Sequence, residues 1–446
     1  MKQIKIIAFF VFLCLSGLLS AQNQLWSLED CILYAIEHNI SIKQLIIQKN
    51  SAELALNTSK MSRLPNLNAN GGQNWSFGRT QIQTGLYENQ NQSITNFSIN
   101  SSITVFSGFR INNEIAKSKL ELETSVQNLE KAKEDLALNI AALFLQVLFN
   151  KELLKINQEQ LNLSELQIER TRSLTEVGKS PMSQLYDIEA QVANDKVAVV
   201  QAENNLRLSL LDLAQNLELE QSANFDIITP VFDNVITEYM SSIQQPQNVF
   251  DKAIQINPSI QAHELQVKSA EKILAITKSA YYPTLDLSLG IGTNYFYLYN
   301  KNYKNIPFSE QVRNNMGEHI GLNLNIPIFN RLSIRNQVRN ARFNIETQQL
   351  ALEKARKTLW KEIETAYLNA LAAQQKYKAA QQAIKATSES FNYAQERYES
   401  GKSSVFEFNE ARTRLMKSQS EEIQAKYDFI FRTKILDFYN GVPIKL

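Results

Sequence analysis

A Gly-Lys-Ser turn at Gly178-Lys179-Ser180 recurs 223 positions later as Gly401-Lys402-Ser403, and the same interval holds far from the turns. Ile363 stands over Ile140, Leu368 over Leu145, Phe329 over Phe106 and Leu436 over Leu213. A chain with such self-similarity is built from two copies of one unit. Upstream the interval shortens to 218: Asn39, Ser51, Glu53 and Pro65 return as Asn257, Ser269, Glu271 and Pro283. Five residues are therefore gained between Pro283 and Phe329, and an insertion there predicts a loop on an exposed edge. The division expected is a first repeat over 22–220, a connector over 221–247 containing Pro230 and Pro246, and a second repeat over 248–446.

Long runs flank both turns. In the second copy Leu352, Ala355, Leu359, Ile363, Ala366, Ala370, Ala373 and Tyr377 fall in steps of three and four, the stripe of a coiled-coil seam. Alanine at many seam positions lets neighbouring backbones approach closely. From Gly108 to Val177 no Gly or Pro intervenes, so that run predicts a helix roughly 100 Å long at about 1.5 Å per residue. The first helix of the chain is expected to start at Ser27, an N-cap with Asp30 three residues on, and to run with a break to Leu64.

Between proline and long helix, each copy changes period. Leu67, Ala69, Trp75 and Phe77 alternate with asparagines and Ser76, and Phe97, Ile99, Ile103 and Val105 alternate with Ser98, Asn100, Ser102 and Thr104. Leu285, Leu287, Leu289 and Ile291 do the same in the second copy, as do Ile320, Leu322, Leu324 and Ile326. These predict two β-hairpins, over 66–106 and 284–329, each strand with one apolar and one polar face. Segments of about ten alternating residues suit a transmembrane barrel with its apolar face to lipid. Trp75, Phe77, Tyr295, Tyr297 and Tyr299 would form an interfacial girdle. The polar loops 78–93 and 300–317 would face outside. Four strands cannot close a barrel, and an open edge in lipid leaves backbone groups unsatisfied. Two or three chains are needed, and a barrel wide enough to continue a hollow helical rod favours three.

The chain opens with Lys2 and Lys5, an apolar run from Ile6 to Leu15 and Leu19-Ser20-Ala21, which reads as a secretory signal over 1–21. Cys14 leaves with it. Cys31 then remains alone, a small buried hydrophobe in a helix. A net charge of +1 argues against a nucleic-acid partner.

In this order, and duplicated, these elements resemble the TolC-like outer-membrane efflux channel family over essentially all of the mature chain. The opening Trp26-Ser27-Leu28-Glu29-Asp30-Cys31-Ile32, with Ala35 and Asn39, is similar to the family's first helix. The segment from Arg397-Tyr398 through Gly401, Ser404 and Phe408 is similar to its helical tips. The resemblance implies a homotrimer in the outer membrane of a Gram-negative bacterium, with a 12-stranded barrel continued by a helical tunnel across the periplasm. It implies a passive exit duct for tripartite efflux or type I secretion, opened by a periplasmic adaptor and an inner-membrane pump. It further implies a periplasmic gate at Tyr398, Glu407 and Glu410, and adaptor docking at Gly178, Lys179, Ser180, Gly401, Lys402 and Ser403. Ser403 departs from the basic residue the family pattern carries there. Glu407 and Glu410, three apart, share a helix face. The rival expectation is a soluble periplasmic or surface coiled-coil scaffold.

Enzyme chemistry finds no purchase. A phosphate loop needs a glycine five residues before the second one, and Ser173 and Glu396 stand there. His38, His263 and His319 lie apart from one another and from cysteine, so neither a metal nor a cofactor is expected.

Overall fold

The computed structural model describes residues 25–81, 85–220, 225–230, 236, 240, 243–300 and 303–444. The signal segment lies outside the described residues, as does part of the connector. Elements of the two copies match in length. Helices α1 (Leu28–His38) and α5 (Pro246–Ile256) each have 11 residues, and α2 (Ile40–Met61) and α6 (Pro258–Ser279) each have 22. The long pair α3 (Arg110–Glu176) and α8 (Ser333–Glu399) each have 67, and their return helices α4 (Met182–Asn216) and α9 (Val405–Tyr439) each have 35.

Local chemistry sets the boundaries. Ser27 and Asp30 form a reciprocal capping box at the start of α1. The expected break before Leu64 falls at Asn39, whose side-chain oxygen accepts from the N–H groups of Ser41 and Ile42 and so starts α2. Asn257 does the same with Ser259 and Ile260 ahead of α6. The repeat is thus kept down to single hydrogen bonds.

The chain forms two compact units, each taking part of both repeats. The first, described over 25–47, 128–261 and 355–444 apart from the gaps above, is helical. Its core gathers Leu28, Cys31, Ile140, Phe144, Leu148, Leu213, Tyr377 and Phe429. The middle of α3 is apolar enough to cross a membrane by composition, but Ile140, Phe144 and Leu148 are spent on this core. Cys31 is fully buried, which pushes its thiol up to about 12 and keeps it unreactive. The described part of the connector is pinned here: Trp26 bridges to Ile227, and Lys151 pairs with Asp226 at 2.6 Å.

The second unit, 48–127 and 262–354, holds the sheet. Its strands are β1 (Asn68–Ser76), β4 (Gln92–Phe106), β5 (Thr284–Leu298) and β6 (Gly317–Asn325), antiparallel in the order β1-β4-β5-β6. Each predicted hairpin forms, and the second strand of one pairs with the first of the other. The loop 78–93 adds a small hairpin of β2 (Arg79–Gln81) and β3 (Tyr87–Asn89). Register puts Asn68, Asn100, Gly290 and His319 in one row, and Asp286 with Thr104 and Asn323 in another. That face is asparagine, serine, threonine and glycine over most of its extent. The other carries Phe97, Ile99, Ile103, Leu285, Leu287, Leu289, Ile320, Leu322 and Leu324. Glycine at 290 leaves room for the His319 ring, which would have to swing aside for a Cβ there.

β4 and β5 run 15 residues each, while the outer strands β1 and β6 have nine. Where β6 has ended, side-chain amides complete the ladder of β5. Gln311, in the short helix α7 (Phe308–Asn314), donates to the Phe296 carbonyl and accepts from its N–H. Asn305 does both for Leu298, and Asn315 donates to the Asn294 carbonyl. Phe308 packs edge-on against Tyr295 and Phe97. The exposed end of a strand is thereby closed to other chains.

Candidate functional site

The two tips are built alike. Gly178 and Gly401 have φ of +72° and +73°, a left-handed conformation that costs a residue with a Cβ about 1–2 kcal/mol. Their N–H groups donate to the carbonyls of Thr175 and Tyr398, and those of Lys179 and Lys402 reach back to Leu174 and Arg397 at 2.8 Å. This is the Schellman closure of a helix C-terminus. Lys179 and Lys402 are exposed. The return helices start differently: Pro181 precedes α4, whereas Ser404 caps α9 by accepting from the N–H of Glu407.

The tips are staggered. Tyr398, three residues before its glycine, meets Gln184, six after the other, and the Arg170 side chain donates to the Glu399 carbonyl. Ser180 donates to Gln184 at 2.6 Å, and the Gln184 amide lies 3.4 Å from the Tyr398 hydroxyl. The Tyr398 ring stacks on Phe408, which packs in turn on Phe391. A chain Ser180–Gln184–Tyr398–Phe408 thus ties one tip to the other. Ser403, which stands where the sequence resemblance called for a basic residue, makes no such link, and its buried hydroxyl finds no partner among the described residues.

Glu407 and Glu410 are both exposed, each with an arginine. Arg397 lies 3.6 Å from Glu407, and Arg414 lies 3.4 Å from Glu410. Exposed pairs of this kind hold by about 0–1 kcal/mol, so the carboxylates stay available.

Deeper in the bundle, sequence reading missed a buried polar cluster. Arg412 of α9 is 2% exposed. Its guanidinium donates to Asp195 of α4 at 2.5 Å, and to the side chain and backbone carbonyl of Gln160 of α3 at 2.7 and 2.9 Å. Ser164 and Gln191 donate to the same aspartate at 2.6 and 2.8 Å. Three of the four long helices are joined there. The signal was present: Arg412 interrupts the buried series Phe408, Ala411, Leu415, and Asp195 interrupts Val192, Val199, Ala202.

A sheet with one apolar and one polar face, together with helices of coiled-coil length that reverse at glycine tips, is the build of a membrane conduit. The chain belongs to the outer membrane efflux protein family, whose model matches residues 32–217 and 249–432. It is 22% identical to outer membrane protein TolC of Escherichia coli strain K12 over 430 residues, 96% of this chain and 84% of that one. It is 22% identical to toxin and drug export protein A of Aggregatibacter actinomycetemcomitans over 407 residues, 89% of this chain and 82% of that one. Among solved structures, the Campylobacter jejuni CmeC outer membrane channel superposes with a TM-score of 0.76 at 17% identity, covering 95% of this chain and 86% of that one.

Proposed function

We propose that three copies of the chain close one twelve-stranded barrel and form a passive exit duct, serving an efflux or type I secretion system through a periplasmic adaptor and an inner-membrane pump. The observation that carries this reading is the pair of nine-residue outer strands, β1 and β6, each paired on one side only among the described residues. In lipid such edges must be satisfied, and β1 of one copy against β6 of the next does so with equal lengths and no edge left over. The polar face then lines a wet lumen and the apolar face meets lipid. The two repeats over 22–220 and 248–446, with their connector, would supply equivalent staves to the helical wall.

At the tips, Gly178, Lys179 and Ser180 with Gly401, Lys402 and Ser403 dock the adaptor, while Tyr398, Glu407 and Glu410 form the gate. The likeness to a toxin and drug export protein favours export as the direction of transport. Purified protein added to a planar lipid bilayer tests the conduit directly, and stepwise ionic conductance is expected. Trimers that enter the bilayer yet pass no current would contradict it. Docking is tested by reversing charge with Lys179→Glu and Lys402→Glu together. Export is expected to fall to background with trimers intact, and unchanged export would leave the tips a purely structural role.

A further inference from the structure

At one end of the sheet the chain crosses between helix and strand four times, and each crossing carries at least one basic residue. Lys60 and Arg63 stand where α2 leads into β1, Arg110 where β4 leads into α3, Lys278 where α6 leads into β5, and Arg331 and Arg335 where β6 leads into α8. No Asp or Glu lies between Glu53 and Glu88, Glu88 and Glu114, Glu271 and Asp286, or Glu318 and Glu346. Each crossing also exposes a large apolar side chain: Leu64, Phe106, Tyr281 and Phe329. Arg63 donates to Asn112 at 2.8 Å and Arg110 pairs with Glu114 at 2.9 Å. Among the described residues no acid pairs with Lys60, Lys278, Arg331 or Arg335. A cavity of about 480 Å³ opens at this level, walled by Ile103, Val105, Phe106 and Phe109 and bordered by Arg63 and Asn112.

A soluble anion is held by charges that converge on it, and these are distributed over all four crossings of the sheet. Only a surface of anions meets them together. The helix-bearing end of the sheet is the periplasmic side of the outer membrane, where headgroups begin at the level at which the apolar face stops. Long basic side chains reach that level with their stems on apolar surface, and clustered basic residues beside a membrane attract anionic lipid. We propose that this band binds anionic phospholipid headgroups of the periplasmic leaflet, the phosphates on Arg63, Lys278, Arg331 and Arg335 and an acyl chain in the cavity beside Arg63. The inference rests on the sheet lying in the bilayer.

The test uses the full-length protein, delipidated in nonionic detergent and offered dioleoylphosphatidylglycerol or dioleoylphosphatidylcholine, with retained lipid counted by native mass spectrometry. The anionic phosphatidylglycerol is expected to be retained at least about tenfold better than the zwitterionic phosphatidylcholine. The variant Lys278→Gln, Arg331→Gln, Arg335→Gln, which removes cations without an acidic partner, is expected to lose that preference by about tenfold. Should the triple variant not assemble, Lys278→Gln alone is expected to lose about threefold. Equal retention of both lipids, an unchanged preference in the variant, or displacement of the lipid by equimolar inorganic phosphate would overturn the proposal. Failure of the wild-type protein to enter phosphatidylcholine vesicles would overturn the bilayer reading itself, and the proposal with it.

Discussion

Arg412 and Asp195 show how much a single pair can hold in a bundle of thin helices. Removing one partner from a buried pair leaves an uncompensated charge and costs about 3–5 kcal/mol, whereas replacing both with apolar residues of similar volume can be nearly neutral. Arg412→Met and Asp195→Leu are each expected to lower the midpoint of thermal helix loss, and the double variant to recover most of it. A double variant no better than the worse single one would place the stability elsewhere. The carboxylates of the proposed gate, Glu407 and Glu410, behave differently because they are exposed. Replacing Glu407 and Glu410 with glutamine removes charge with little change in volume. Single-channel recordings are then expected to show reduced cation selectivity and weaker block by trivalent cations from the periplasmic side. Arg397 and Arg414 remain in that variant, so a lean toward anions is the further expectation. Unchanged selectivity and block would make both glutamates surface residues.

At the scale of elements, Glu134 on α3 links packing to pH. It borders an apolar cavity of about 460 Å³ with Ile32, Leu33, Ile36 and Phe438. Burial pushes its carboxyl up to about 7, with Asp135 and Glu130 adding to the rise and Lys131 opposing it. An acid whose folded pKa is raised binds more protons folded than unfolded between its ordinary value and 7, so stability falls as pH rises through that window and levels off above it. Glu134→Gln is expected to raise the melting midpoint at pH 8 and leave it unchanged near pH 4. An equal gain at both would show that charge is not the cause.

Elements were also what the chain declared most openly. Helix pairs of equal length, two hairpins and glycine reversals follow from period and punctuation, which are local properties of sequence. The inner strands β4 and β5 proved longer than their alternation, since Gly290 and Gly292 carry no hydropathy signal and the polar start of β4 at Gln92 reads as loop, whereas Leu67, Phe77 and Ile326, expected in the outer strands, lie just beyond the ends of β1 and β6. The Arg412 cluster joins residues 217 positions apart on different seams, and no periodicity pairs one seam with another. Gln184 was invisible for a plainer reason: an amide on a helix is ordinary until Ser180 and Tyr398 are seen beside it. The same holds for Asn305, Gln311 and Asn315, which looked like loop residues and serve as the missing edge of a strand.

For the whole molecule, the proposed barrel makes one claim at each level: a single chain needs its copies. Among the described residues its larger sheet has four strands, with β1 and β6 each paired on one side only. On the trimeric reading proposed above, assembly is part of the fold rather than an addition to it. The most direct measurement is the mass of the detergent-solubilised protein by light scattering, corrected for bound detergent. The account predicts about three chains in each particle, with sheet content lost when the particles are dissociated. A stable monomer that keeps its full sheet content would contradict it.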